Sequence, residues 1–517
     1  MIQKIKNSSF FLWAVIVLVG AYYIYALNPS YIFTGDSLNK LLQADSLSSS
    51  GFKTEDLKYN ASDIDPDFQF YPFPGAYHIV VENRHLGQYP IFFSFFSAQV
   101  LKVFPPEVFP FIGFGFFLIL LFVLQREFQV TNFIILLAAF FTYLLPLSLD
   151  YSENIYTVFL TFLGLTLYIR NLDKPQIEFI KMLFAGALIG LGVWLRLEGI
   201  FFFLSLFVGF LFVYRLNNKT ETIRFFLFGL GFSIITILFF AFNFIDYGHI
   251  FGPRYLANKD GFTQTVLERI QQVITLLFVG KFKVGYFVFT PLLLVSLYYF
   301  CIPKNFKEIS NRDKMLLVAL VIFLPFVAVA APNDGIVTWG PRYLAHAVLP
   351  NLILLHTFLE KSSFYKNEWK LPGKILFYIS LFISLVLFYA GFKFTTVATK
   401  QLKQYQTEID SVKADIRIFQ NFFLINHTGT SYLKTVNLLI SKEEELTIFL
   451  KNLKEKNKKG TVVFYNSDFH YIKDPNLNLY KMKPEEKESY LNLLGTNLKF
   501  IQLHKLQFIE VYEYKIE

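Results

Sequence analysis

The amino-acid sequence predicts a polytopic α-helical membrane protein with about 11 transmembrane helices and a small α+β extracytoplasmic domain at its C-terminal end. Three observations predict it. Of the 517 residues, 54% are hydrophobic and 65 are Phe, and many apolar runs are long enough to cross a bilayer. Lys and Arg gather in short segments between alternate runs, as the positive-inside rule requires. From Lys393 onward the composition turns to Lys, Glu, Gln and Asn, which marks a soluble domain. The net charge of +9 would suggest nucleic acid in a soluble protein. Distributed this way it sets topology instead, and no nucleic-acid partner is expected. The single cysteine, Cys301, excludes an intrachain disulfide.

The first crossing is read from Phe10 to Leu27. Lys4 and Lys6 precede it, no small-residue cleavage site follows, and the segment is expected to remain as an uncleaved helix with its N-terminus inside. A large polar insert then occupies the outside, within a first loop spanning 28–107. It ends in an apolar stretch from Ile91 to Phe104, too short for a full span and expected to lie along the outer surface. Further crossings follow at Val108 to Leu124, Asn132 to Leu147 and Ile155 to Ile169, with Asp150 and Glu153 delivered outside between the last two. The apolar run from Met182 to Phe212 is two spans long and is interrupted by Arg196 and Glu198. Two charges at mid-run are costly in lipid, so the chain is expected to turn there, at the outer side. The seventh crossing is Phe225 to Ile245, followed by a loop with Gly252-Pro253-Arg254-Tyr255-Leu256. The eighth is Gly285 to Cys301 and the ninth Met315 to Ala331. The tenth ends near Leu359 and the eleventh near Gly391, joined by a basic loop with Lys361, Lys366, Lys370 and Lys374. This organisation divides the chain into a membrane domain, 1–392, and a soluble domain, 393–517. In the latter, helices are expected near Thr399 to Phe423 and Ser441 to Lys456, and strands at Thr461 to Tyr465 and Phe508 to Lys515.

Candidate chemistry concentrates outside. Asp36 stands a few residues past the first helix, in Thr34-Gly35-Asp36-Ser37, where lipid, water and reacting groups can meet, and Gly35 permits a turn that a side chain would hinder. The same residues suit a helix N-cap, with Thr34, Asp36 or Ser37 capping a helix through Leu38, Leu41 and Leu42. Lys40, Arg84 and His85 share the insert and are further candidates. Asp63, Asp65 and Asp67 could hold a divalent cation through oxygen ligands, but lack the glycine and terminal glutamate of an EF-hand loop. The run Tyr71-Pro72-Phe73-Pro74-Gly75 reads as turn. The pentapeptide Gly-Pro-Arg-Tyr-Leu occurs twice, at Gly252 and Gly340. Arg254 and Arg342 could pair bidentately with a phosphate, with Tyr255 and Tyr343 as added donors and Arg196 converging on the same side. As an alternative, these arginines and tyrosines anchor the chain at the membrane interface. Asp150, Glu153 and Glu198 complete the outer charged set.

Assembled, these features resemble the GT-C superfamily of membrane glycosyltransferases, among them the protein O-mannosyltransferases and lipid A aminoarabinose transferases. The resemblance spans roughly Phe10 to Leu359. It rests on an acid just after the first helix, a large first loop, Gln88-Tyr89-Pro90 opening an amphipathic helix, and a Gly-rich helix, Gly190 onward, ending in Arg196-Leu197-Glu198-Gly199. Three positions depart from the common pattern: Ser37 in place of a second acid, Leu197 where Pro is common, and Ile91 after Pro90. The resemblance implies transfer of a sugar from a polyprenyl-phosphate carrier in the membrane lipid to an extracytoplasmic acceptor. Asp36 would be the catalytic base, the arginines would neutralise the departing phosphate, and the anomeric centre would invert. Two other functions fit the same composition. An O-antigen ligase or polymerase usually carries its large loop late, whereas here it is early. A lipid-linked sugar flippase would line a mid-bilayer path with charges, which the expected spans nearly lack.

Overall fold

The computed structural model describes residues 9–73, 75–172, 174–216, 218–258, 264–280, 283–333, 335, 339–362, 364, 370–467 and 482–517. Lys4, Lys6, Pro74 and Lys366 lie outside them. Among the described residues, 6 helices are long and apolar enough to cross a membrane: Ser9–Leu27, Pro106–Phe128, Asn154–Leu172, Lys219–Tyr247, Asn311–Ala330 and Leu371–Ser411. Shorter apolar helices, Phe179–Leu195, Glu198–Tyr214 and Pro291–Cys301, stand where the fifth, sixth and eighth crossings are expected. Val348–Lys361 stands at the tenth.

Two expected crossings are broken. The third divides into Asn132–Phe140 and Leu144–Leu149, and the eighth into Tyr286–Phe289 and Pro291–Cys301, where Pro291 has no N–H to continue the ladder. Hydroxyls satisfy main-chain carbonyls at the third crossing's break, one from the eighth segment and one from its own. The Thr290 hydroxyl donates to the Phe141 carbonyl (2.6 Å), and the Thr142 hydroxyl donates to that of Ala138 (2.7 Å). The segment after Gly252, read from sequence as a loop, holds the helices Gly252–Asn258 and Val266–Leu277. A capping box of Thr265 and Glu268 opens the second. The last membrane helix does not stop near Gly391 but runs to Ser411, 41 residues in all. No Gly or Pro follows Gly391 in it to break it. The helix expected to reach Phe423 therefore ends earlier, and the β-branched, aromatic run Ile416–Phe419 forms a buried strand instead.

Packing divides the chain into two compact units, one of Met1–Ile24, Pro90–Phe93 and Val108–Lys393, the other of Tyr25–Tyr89, Ser94–Glu107 and Phe394–Glu517. In the first, the Gly-rich helix Phe179–Leu195 packs backbone to backbone on Lys219–Tyr247. A Cβ on Gly186 would lie 1.8 Å from the Phe228 carbonyl oxygen, and one on Gly231 2.0 Å from that of Leu183. Small residues at such crossings let van der Waals contact replace the hydrophobic force that lipid does not supply.

The second unit is built on a five-stranded sheet. In spatial order its strands are Val436–Leu439, Ile416–Phe419, Gly460–Asn466, Glu510–Ile516 and Lys499–Lys505. The first three are parallel and the last two antiparallel. Its core joins residues from both ends of the chain. Leu38, Leu42, Tyr59, Ile64, Phe70 and Phe73 of the first loop pack with Leu402, Tyr405, Ile418 and Phe464, and the Leu439 amide donates to the Phe70 carbonyl (3.0 Å). Composition alone draws a line after 392. The shared core is a matter of tertiary packing that composition does not record.

Candidate functional site

In the first unit a buried charge cluster forms where two helices meet. The helix Phe179–Leu195 ends because Arg196 turns to extended backbone (φ −153°, ψ 134°), and the next helix opens with Glu198 in its first turn, where a carboxylate suits the helix dipole. Arg196 folds its guanidinium onto Glu198, Nη2 to Oε1 at 2.6 Å and Nε to the two oxygens at 3.2 and 3.3 Å. Its Nη1 reaches Glu153 Oε1 at 3.0 Å, and Arg254 Nη1 reaches the same oxygen at 2.5 Å. The Glu153 side chain is 0% exposed and that of Arg196 2%. Burial opposes the Arg254 charge, but Glu153 and Glu198 more than compensate and raise the guanidinium above its ordinary value. The Tyr343 ring lies beneath Arg196 (5.1 Å) and Arg342 (5.4 Å). Arg196 and Arg254 thus share Glu153, and Arg196 and Arg342 share the face of Tyr343. A small pocket of about 30 Å³ adjoins Arg196 and Arg254, lined by Trp194, Phe239, Phe242 and Tyr247. Asp150 is the residue at which the helix Leu144–Leu149 ends, and its carbonyl accepts from the Ser152 amide (2.8 Å).

In the second unit Asp36 is the first residue of the helix Asp36–Ser49. Its side chain does not cap that helix. The capping position belongs to Gly35, whose backbone (φ 57°, ψ −129°) is open to glycine and strained for other residues, and no side chain makes the cap bond. Lys40 is buried, with its ammonium 5.0 Å from the centre of the Tyr89 ring. Arg84 and His85 lie on the hairpin strand Arg84–Gly87, paired with His78–Val81. The His85 ring stacks on Phe68 (3.7 Å, 7°) and its Nδ1 lies 2.7 Å from His78 Nε2. Burial, then the neighbouring His85, pushes His78 down to about 4. Asp65 accepts from the Tyr59 hydroxyl (2.7 Å) and the amides of Gln69 and Phe70 (2.9 and 2.7 Å), and Asp63 pairs with Lys458. Asp65 thus serves the loop's own structure and Asp63 ties the loop to the C-terminal segment, and among the described residues no group of three or more His, Cys, Asp or Glu is placed to hold a metal ion.

The structure thus gathers Glu153, Arg196, Glu198, Arg254, Arg342 and Tyr343 in one unit and holds Asp36, Lys40, Arg84 and His85 in the other. Tyr255 instead stacks on His249 (4.4 Å, 5°). Sequence reasoning passed over His346, which is buried against Phe202 and Phe323, with its Nε2 3.3 Å from the Thr157 hydroxyl. The available signal was its place three residues after Tyr343, within the same short 3₁₀ helix Arg342–Ala347.

A set of long apolar helices, with a buried arginine–carboxylate cluster, defines an integral membrane protein. Its fold is the GT-C fold. The crystal structure of ArnT from Cupriavidus metallidurans bound to undecaprenyl phosphate matches with a TM-score of 0.55 at 11% identity, over 98% of each chain. The apo state of that protein matches at 0.53, with the same identity and coverage. The oligosaccharyltransferase of Archaeoglobus fulgidus in the apo form matches at 0.48, with 12% identity over 88% of this chain and 70% of that one. No family model and no curated protein sequence matches the chain.

Proposed function

We propose that this protein is a glycosyltransferase that moves a sugar from a polyprenyl-phosphate carrier to an extracytoplasmic lipid, glycan or protein acceptor. The chain would cross the cytoplasmic membrane about eleven times and work at its outer face. The observation that carries the reading is the gathering of Arg196 and Arg254 on buried Glu153, with Arg342 over the Tyr343 ring that Arg196 also faces, because guanidinium forks suit phosphate oxygens. The fold likeness to ArnT, which has been seen with undecaprenyl phosphate, supports a prenyl phosphate as that anion. Arg254 and Arg342 would hold the phosphate. Arg196, its donors taken up by Glu198 and Glu153, would hold those carboxylates and Tyr343 in place. Aromatic residues lining the pocket beside Arg254 would accommodate the first carbons of the prenyl chain.

Asp36 would take the proton of the acceptor hydroxyl or amine as that group attacks the sugar C1. The C1–O bond to phosphate breaks as the new bond forms, and the arginines balance the charge on the leaving phosphate. Asp36→Asn tests this, because the amide keeps shape and polarity but cannot accept the proton. A general base contributes roughly 10²–10⁴-fold, so the variant should bind undecaprenyl phosphate as wild type does and lose turnover by that factor. Retention of more than about a tenth of wild-type turnover would remove Asp36 from the role and turn attention to Asp150 and Glu153.

A further inference from the structure

The turn that carries Asp36 is fastened to the C-terminal part of the same unit at Asn426. The Gly35 amide donates to the Asn426 carbonyl (3.1 Å). The Asn39 side-chain amide donates to the Gly35 carbonyl (3.0 Å) and, at 3.4 Å, to Asn426 Oδ1. Both amide planes flanking Gly35 are therefore held from outside the turn, at the residue whose φ of 57° leaves the following residue's direction dependent on it. Asn39 and Asn426 are both buried, so these bonds are shielded from competing water.

Asn426 is itself held firmly. Asn421 caps the short helix Phe422–Ile425 by accepting from the Leu424 amide (2.9 Å), and the Asn426 amide closes that helix on the Phe422 carbonyl (3.0 Å). The Tyr405 hydroxyl, from the long helix Leu371–Ser411, donates to the Leu424 carbonyl (2.8 Å), and the Thr428 hydroxyl donates to that of Ile425 (2.8 Å). Such a chain of satisfied bonds fits a part that sets a reacting group's position, because small displacements of a catalytic group are expensive.

We propose that Asn426 is a positioning residue for Asp36, and that the C-terminal segment thereby takes part in sugar transfer without touching the reacting atoms. This rests on the reading of Asp36 as the general base. The side-chain Nδ2 of Asn426 donates no hydrogen bond among the described residues, so Asn426→Asp keeps the acceptor for Asn39 and adds a negative charge near Asp36, whereas Asn426→Ala removes the acceptor.

The test uses the full-length chain with undecaprenyl-phosphate-linked hexoses, N-acetylhexosamines and an aminopentose, offered with lipid, glycan and peptide acceptors. Deuterium uptake over residues 33–41 is followed in parallel. Asn426→Ala should raise uptake there and lower kcat about 10- to 100-fold, with the donor KM unchanged. Asn426→Asp should keep the wild-type uptake. Because a like charge raises a carboxylate's pKa, it should also move the acid limb of the pH–rate profile up by roughly one unit, with kcat recovering at higher pH. Wild-type uptake and kcat in Asn426→Ala would overturn the proposal, and so would an unmoved acid limb in Asn426→Asp. If Asn426→Ala does not fold, the acid limb of Asn426→Asp decides alone. If wild type turns over none of the donors, the glycosyl-transfer reading fails and the proposal falls with it. Loss of the positioning effect in an active wild type leaves that reading intact.

Discussion

The two copies of Gly-Pro-Arg-Tyr-Leu begin alike and end differently. Both open on a glycine with positive φ, 70° at Gly252 and 98° at Gly340. The first copy then forms the helix Gly252–Asn258, its Arg254 bound to Glu153 and its Tyr255 stacked on His249. The second enters the 3₁₀ helix Arg342–Ala347, where Tyr343 donates to Asn333 (2.8 Å) and lies beneath both Arg342 and Arg196. Five identical residues thus place one arginine against a buried carboxylate and the other over a tyrosine ring. Local sequence sets the turn, while the partner sets what the arginine does.

The partner of the first copy offers the sharpest way to break that contrast. Glu153→Gln removes the charge that receives both Arg196 and Arg254 while keeping the side chain's shape. Removing one member of a buried pair costs about 3–5 kcal/mol, so the variant should unfold at a clearly lower temperature in detergent, read by tryptophan fluorescence. An unchanged midpoint would mean that the cluster contributes no net stability.

Exchanging the arginines separates the copies next. A lysine keeps the charge and loses the fork. Arg254→Lys should weaken undecaprenyl phosphate binding and also lower the melting temperature, because its bond to buried Glu153 changes. Arg342→Lys should weaken binding by a similar roughly 10-fold and lower the melting temperature less than Arg254→Lys, which disturbs a fully buried carboxylate. Equal thermal effects would erase the distinction between the copies, and unchanged affinity in the double Arg→Ala protein would return both arginines to membrane anchoring.

The tyrosines give the smallest effects. Tyr343→Phe loses a hydrogen bond to Asn333 and should cost about 0.5–1.5 kcal/mol. Tyr255→Phe keeps the stack on His249 and should stay within about 0.5 kcal/mol of wild type. A reversed order in chemical unfolding would show that the hydroxyl of Tyr255, rather than its ring, matters to the first copy.

The sequence by itself determined the membrane character, most helix positions, and the turn at Arg196 and Glu198, because hydropathy and the cost of charge in lipid act over short stretches. It also determined that Gly35 turns the chain before Asp36 and that strands lie near Thr461 and Phe508, since backbone freedom and β-propensity are local properties. Only the tertiary structure decided that Glu153 faces two arginines, one 43 residues away and the other 101. The same holds for the broken third and eighth crossings, which share Thr290, and for the first loop's place in the C-terminal core. Asn426 became visible as the support of Asp36 only there, 387 residues from Asn39. These contacts join segments whose separate patterns carry no trace of one another. A buried carboxylate, a carbonyl or an amide finds its partner through packing in three dimensions, and no periodicity along the chain encodes that choice.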